Sequence, residues 1–180
     1  MSALLDLSIS EAAPALRQRQ LSSVDLTEAC LARIEARDPI YRAFVHVAAE
    51  QALAAARAAD AALAHGEDLG PLHGIPIGVK DLFDTADMPT TYGSDVFSGH
   101  RPQADAAVVA RLRAGGAVIL GKLETYEFAM VGPVFDRSTP PAANPWKPDH
   151  FTGGSSSGSA AAVAGGLLRT ALGSDTGGSA

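Results

Sequence analysis

One cysteine, Cys30, stands alone in a chain of 180 residues. A lone thiol excludes an internal disulfide framework and any CxxC metal or redox motif, and it suits a reducing cytoplasm. Positive charge is also scarce: 14 Lys and Arg against 20 Asp and Glu leave a formal net charge of −6. With no basic stripe, nucleic-acid binding and attraction to a membrane surface are not expected, and a small molecule is the expected partner. Long apolar runs are missing as well, because the longest, residues 160–168, stops at Arg169 after about half of a membrane span. The first residues carry Asp6 and Glu11 and lack a positively charged start followed by an apolar stretch, so no export signal is read and a cytoplasmic location is expected. His46, His65, His73, His100 and His150 show no metal-site pairing such as HExxH. Each is expected at the surface or at a cap, and neither a metal nor a cofactor is expected. No internal repeat of fixed period is present.

What is there has the texture of one compact domain, with 47% hydrophobic and 19% charged residues. The first third reads as helical. Helices are expected to begin near Ser10 and again after Ser22 and Ser23, where hydroxyl caps precede Asp25 and Glu28. Leu26, Cys30, Leu31 and Ile34 then share a face. An alanine-rich helix over residues 47–64 is expected to close at His65 and Gly66. From Pro71 the pattern changes. Ile75, Ile77 and Val79 alternate within GIPIGVKD as a short strand that ends on Lys80, with Pro76 at an edge or terminal position. Asp105 is expected to cap a helix carrying Val108, Val109 and Leu112, closed by Gly115 and Gly116, and residues 117–120 follow as a buried strand. This alternation predicts an α/β fold with a substantially parallel sheet and a right-handed crossover. The five prolines of residues 132–149 read as a loop. Residues 153–166 form a Gly/Ser turn running into an alanine-rich helix, residues 167–172 read as another strand, and GSDTGGSA is a second Gly/Ser turn.

Gly/Ser-rich stretches are most often linkers, yet both turns here are flanked by apolar, structured segments. Glycine in such a place serves positive φ or the close approach of backbone to a ligand. Gly116, Gly121 and Lys122 have the spacing of a phosphate-binding loop, but Leu123 stands where a metal-binding hydroxyl belongs and the residues between the glycines are strand-like. Gly154, Ser156 and Gly158 fit GxSxG, but no apolar strand precedes them, and the sequence ends before a downstream acid and histidine could follow. A serine activated by a base other than histidine remains.

Three blocks, GIPIGVKD around Lys80, GGSSSGSAAAVAGG from Gly153 and GSDTGGS from Gly173, occur in an order that resembles the amidase signature family. AGGAVILGK ending at Lys122, the pair Glu127 and Phe128, and Asn144-Pro145-Trp146 add to the likeness, which covers nearly all of the chain from Pro71 onward. The resemblance implies a mixed, largely parallel sheet flanked by helices, within a single domain. Residues 1–66 would be its helical lead-in and residues 71–180 the start of its catalytic core. It also implies sequence beyond Ala180 that completes the sheet, since family members are more than twice as long, so this chain alone is expected to be unstable and inactive. Ala180 stands where the family commonly has isoleucine, and Ser157 replaces a common glycine.

Carried onto this sequence, the resemblance makes Ser179 the nucleophile, Lys80 the base and Ser155, after a cis peptide bond, the bridge between them. The backbone N–H groups of Thr176, Gly177, Gly178 and Ser179 would form the oxyanion hole. A lysine can deprotonate a serine only as the neutral amine, so burial must lower its pKa towards roughly 7 or 8, about 4 kcal/mol against the ammonium. The implied activity is hydrolysis of a small-molecule carboxamide through an acyl-enzyme, with a homodimer as one expected assembly. The A-type component of a glutamine-dependent amidotransferase, working with partner subunits, shares the same motifs, an allophanate-type hydrolase is a variant, and a non-catalytic fragment is the alternative of another class.

Overall fold

Serine hydroxyls set the helix starts in the first third. In the computed structural model, which describes residues 3–130 and 132–179, Ser8 precedes α1 (Ile9–Arg17) and its N–H donates to Glu11 Oε2 at 2.8 Å. Ser22 precedes α2 (Ser23–Tyr41), its Oγ accepting from the Asp25 N–H at 2.9 Å. Such pairs satisfy donors that a first helical turn leaves free. Leu26, Cys30 and Ile34, four residues apart, form the buried face of α2. In α3 (Ala49–Ala64) the buried residues are Ala52, Ala56 and Ala59, small enough for the helix to lie close on its neighbours.

Between α2 and α3 lies a strand, β1 (Phe44–Val47), which the reading of residues 1–66 as helical leaves out. Four residues are too few to show an alternating pattern. The strand is launched by the turn before it, where Arg42 is left-handed at φ 52° and the Asp38 carboxylate accepts from the N–H groups of Ala43 and Phe44 at 2.8 and 3.1 Å, and it is completed by pairing with a distant strand at residues 121–123.

The main sheet has the order β1-β3-β2-β6, with β2 at Pro76–Lys80, β3 at Val118–Leu123 and β6 at Ala171–Leu172. β2 runs parallel to β3 and β6, and β1 is antiparallel to β3, so the fold is α/β with a mixed, mostly parallel sheet. Every residue of β2 and β3 is buried, as expected of central strands covered on both faces. Ile77, Val79 and Ile119 pack with Val109 of α4 (Ala107–Ala114) on one side. Val118 and Leu120 pack on the other with Cys30 and Ile34 of α2 and with Ala161 and Ala162 of α5 (Ser157–Ala164). Pro76 opens an interior strand, the terminal one of its two expected placements.

Several local expectations change. Asp105 does not cap α4, whose cap position is Ala106; its carboxylate instead accepts from the Ala86 N–H at 2.8 Å and pairs with Arg113 Nε at 2.9 Å. The proline-rich segment ends in a hairpin, β4 (Ala143–Asn144) with β5 (Lys147–Phe151), turned by Asn144 Oδ1 accepting from the Trp146 N–H at 3.0 Å. The strand expected over residues 167–172 shortens to β6, because Leu167 and Leu168 are buried core residues after α5. His73 is buried, neither surface nor cap: its Nδ1 accepts from the Leu69 N–H at 3.0 Å. The departure at Ala180 lies outside the described residues. Among the described residues no helix is long and apolar enough to cross a membrane.

Candidate active site

β2 is an apolar strand that ends on a lysine, and the parallel pairing of β2 with β6 brings that end beside the second Gly/Ser turn. Lys80 is fully buried there. Its Nζ lies 2.8 Å from Ser155 Oγ, 3.0 Å from Ser156 Oγ and 2.8 Å from Ser174 Oγ, with the Ser174 carbonyl at 3.4 Å. Both Gly/Ser turns therefore converge on one amine. Burial lowers the Lys80 pKa to about 8, against the opposing pull of Asp175 and Glu124.

The hydroxyls around this amine are not equivalent. Ser156 Oγ accepts from Lys80 and from the Ser174 N–H at 3.2 Å, and its proton goes to the Ser174 carbonyl at 3.0 Å. That fills the one donor and two acceptor places of a hydroxyl. Ser155 has no such commitment of its proton among the described contacts. When Lys80 is neutral, two N–H bonds can reach Ser156 and Ser174 while the lone pair takes the Ser155 proton.

Ser155 itself is held by its backbone. The peptide bond between Gly154 and Ser155 is cis. The Ser155 carbonyl accepts from Thr125 Oγ1 at 3.0 Å and from the Tyr126 N–H at 3.3 Å. Gly154 lies so close to the Tyr126 ring that a Cβ would overlap it.

Ser179 lines a cavity of about 450 Å³ together with Gly154, Ser156, Ser159 and Gly178. Its carbonyl accepts from the Ser156 N–H at 3.2 Å. Among the described contacts its hydroxyl makes no hydrogen bond to Ser155 or Lys80, so the structure joins Lys80 to Ser155 and brings Ser179 to the cavity wall without closing that link. Thr176 and Gly177 lie exposed in the turn before it. The Gly178 N–H donates to Asp175 Oδ1 at 2.5 Å, so it is engaged in this conformation.

Two buried ion pairs beside the site escaped the sequence reading. Lys122, read above as a weak phosphate-loop match and as the end of the AGGAVILGK block, pairs with Asp81 at 2.9 Å, both side chains almost wholly buried. Burial lowers the Lys122 pKa, with Asp81 opposing. Asp81 Oδ2 also accepts from the Thr91 N–H and hydroxyl, at 3.0 and 2.5 Å, which ties the loop after β2 to the strand end. Glu124 pairs with Arg137 Nη2 at 2.5 Å and accepts from the Ser157 hydroxyl. Ser157 in place of a glycine was the one signal of this second network. Among the described residues, no group of three or more His, Cys, Asp or Glu side chains is arranged to hold a metal ion.

Comparison with known proteins adds an independent line. The family model described as Amidase matches residues 25–180. The A-type component of the glutamyl-tRNA(Gln) amidotransferase of Chloroflexus aurantiacus is 50% identical over 179 residues, 99% of this chain and 37% of that protein. A Mycobacterium tuberculosis protein named as the amidase AmiD is 51% identical over 177 residues, 98% of this chain and 37% of that protein. The solved structure of native peptide amidase from Stenotrophomonas maltophilia superposes with a TM-score of 0.90 at 37% identity, covering 97% of this chain and 37% of that one. The chain thus spans 37% of the length of these curated relatives.

Proposed function

This chain belongs to the amidase signature family, and from that premise we propose that it carries the base and both serines of an amide hydrolase acting through an acyl-enzyme. The observation that carries the reading is the buried Lys80 amine, 2.8 Å from Ser155 Oγ and lowered to about 8 by burial. A lysine in that state supplies a neutral base near the working pH, which an exposed lysine does not.

In this reading Ser179 Oγ attacks the carbonyl carbon of a small carboxamide. Its proton passes to Ser155, and the Ser155 proton passes to the Lys80 lone pair. The carbonyl oxygen becomes an oxyanion, received by the N–H groups of Thr176, Gly177, Gly178 and Ser179, with Gly178 first leaving Asp175. When the C–N bond breaks, the leaving nitrogen takes the proton back through Ser155, and ammonia or an amine departs. Water then attacks the ester on Ser179 by the same proton route and releases the carboxylate. The step requires the Ser179 hydroxyl to swing onto Ser155. Residues 1–66 and 71–180 act here as parts of one domain, a reading supported by the pairing of β1 with β3. The lone, buried Cys30 supports a cytoplasmic setting.

The test is labelling of the full-length protein by a serine-directed phosphonylating probe. Ser179→Ala should abolish labelling, and Lys80→Ala should slow it sharply. Unchanged labelling in the first variant removes Ser179 from the nucleophile's role, and unchanged rate in the second removes Lys80 as base. The 50% identity to an amidotransferase component supports a second reading, in which the same chemistry releases ammonia from glutamine for partner subunits. Partners that co-purify with the full-length protein, and glutamine hydrolysis that depends on them, would select that reading.

A further inference from the structure

Glu124 is the first residue after β3 and is fully buried. Its carboxylate has partners from two other segments of the chain: Arg137 Nη2 at 2.5 Å and the Ala142 N–H at 3.4 Å from the proline-rich segment, and the Ser157 hydroxyl from the start of α5. Its backbone serves the same neighbourhood. The Glu124 N–H donates to the Ala43 carbonyl at 2.8 Å, and the Glu124 carbonyl accepts from the Gly158 N–H at 2.9 Å. The next two residues, Thr125 and Tyr126, hold the Ser155 carbonyl. A Cβ on Gly158 would press into the Glu124 amide and sit 2.5 Å from the Ala43 oxygen. The turn from Ser155 to Gly158 therefore lies flush against residues 124–126.

A carboxylate is an expensive choice for such a place. Removing it from water costs several kcal/mol unless a charge and hydrogen bonds replace the water, and an apolar side chain of similar size often serves stability as well or better. Here Arg137, itself only 7% exposed, supplies the charge, and Ser157 the hydrogen bond. A carboxylate alone can accept from both and also put negative charge beside the Lys80 amine. The charged and titratable groups that face it are Arg137, Tyr126 and Lys80, and Lys80 in turn faces Asp175.

We propose that Glu124 is a positioning residue: anchored by Arg137, it draws in the Ser157 hydroxyl and thereby sets the distance between Ser155 and Lys80. This rests on the functional reading above and assigns that site a dependence on two residues, Glu124 and Ser157, that touch neither Lys80 nor Ser155. The experiment measures the rate of Ser179 phosphonylation in the full-length protein over roughly pH 6 to 10, for wild type, Glu124→Gln and Ser157→Gly. Glu124→Gln should lower the plateau rate about 10 to 100-fold, the scale set by small misplacements of reacting groups. Its acid limb should also move to lower pH, because Lys80 loses an anion that favours the ammonium. Ser157→Gly should lower the plateau by a smaller factor and leave the limb in place, since the carboxylate remains. A wild-type rate and profile in Glu124→Gln overturns the proposal, and so does a loss with the limb unmoved, because that variant, unlike Ser157→Gly, removes the charge that acts on Lys80. If Glu124→Gln does not fold, Ser157→Gly decides: a wild-type plateau there overturns it. Labelled wild type with unchanged variants removes this inference alone, whereas absent labelling of wild type removes the functional reading and this one with it.

Discussion

Raising the pH across the titration of Lys80 perturbs one group at the centre of the site. The amine is fully buried, and burial lowers its pKa from 10.5 to about 8. A fall of that size is about 3 kcal/mol against the ammonium. Roughly a tenth of the amine is then neutral at pH 7 and roughly nine tenths at pH 9, whereas an ordinary lysine at pH 7 is neutral in fewer than about one molecule in a thousand. The rate of Ser179 phosphonylation in the full-length protein should therefore rise about ten-fold from pH 7 to a plateau above about pH 9, after subtraction of the probe's own hydrolysis. Stability carries the same signature. Because the folded pKa lies below the unfolded one, the unfolded chain binds more protons between about pH 8 and 10.5, and folding stability rises with pH through that window. The burial penalty is fully present below about pH 8. Wild type should accordingly gain on Lys80→Met as the pH rises through the window. A flat labelling rate between about pH 7 and 9, or an inflexion at an ordinary lysine's value, refutes the reasoning.

Lys122→Met leaves Asp81 buried and unpaired, so the urea midpoint of the full-length protein should fall by an equivalent of about 3–5 kcal/mol. Adding Asp81→Asn should restore part of that, and an unmoved midpoint in the single variant would contradict the ion pair's importance. Gly158→Ala forces a Cβ onto backbone atoms of Glu124 and Ala43, which cannot swing aside. It should destabilise by about 1–3 kcal/mol, while Gly177→Ala, with nothing within 4 Å of the new Cβ, should leave the melting temperature nearly unchanged. The Cys30 thiol is buried and its pKa is pushed up to about 12 by burial, so native protein should resist a thiol-directed maleimide that reacts fully after denaturation. Rapid native labelling would show that the interior around α2 opens readily.

Legibility in the sequence followed the range of the signal. Ser22 with Asp25, the apolar spacing of Leu26, Cys30 and Ile34, and the alternation of Ile75, Ile77 and Val79 act over a few residues, and the elements they announce are present. β1 was not legible, because four residues become a strand only when Asp38 and the β3 edge meet them. Asp105 has the look of a cap, yet Arg113 and the Ala86 amide compete for its carboxylate and win. His73 gave no hint of burial, because the segment that covers it is brought there by the fold.

By itself the sequence determined the α/β alternation, the lysine at the end of β2 and the two glycine-rich turns, since these rest on local periodicity and on residue types that neighbouring residues cannot alter. Ser155, Ser156 and Ser157 are three identical hydroxyls in a row, and only their resemblance to a family pattern set the first apart. The tertiary structure gave them separate partners: Lys80 for Ser155, Lys80 together with the Ser174 backbone for Ser156, and Glu124 for Ser157. The partner of a hydroxyl is decided by which distant segment folds over it, and burial, which lowers Lys80 to about 8, arises only when those segments close around the amine.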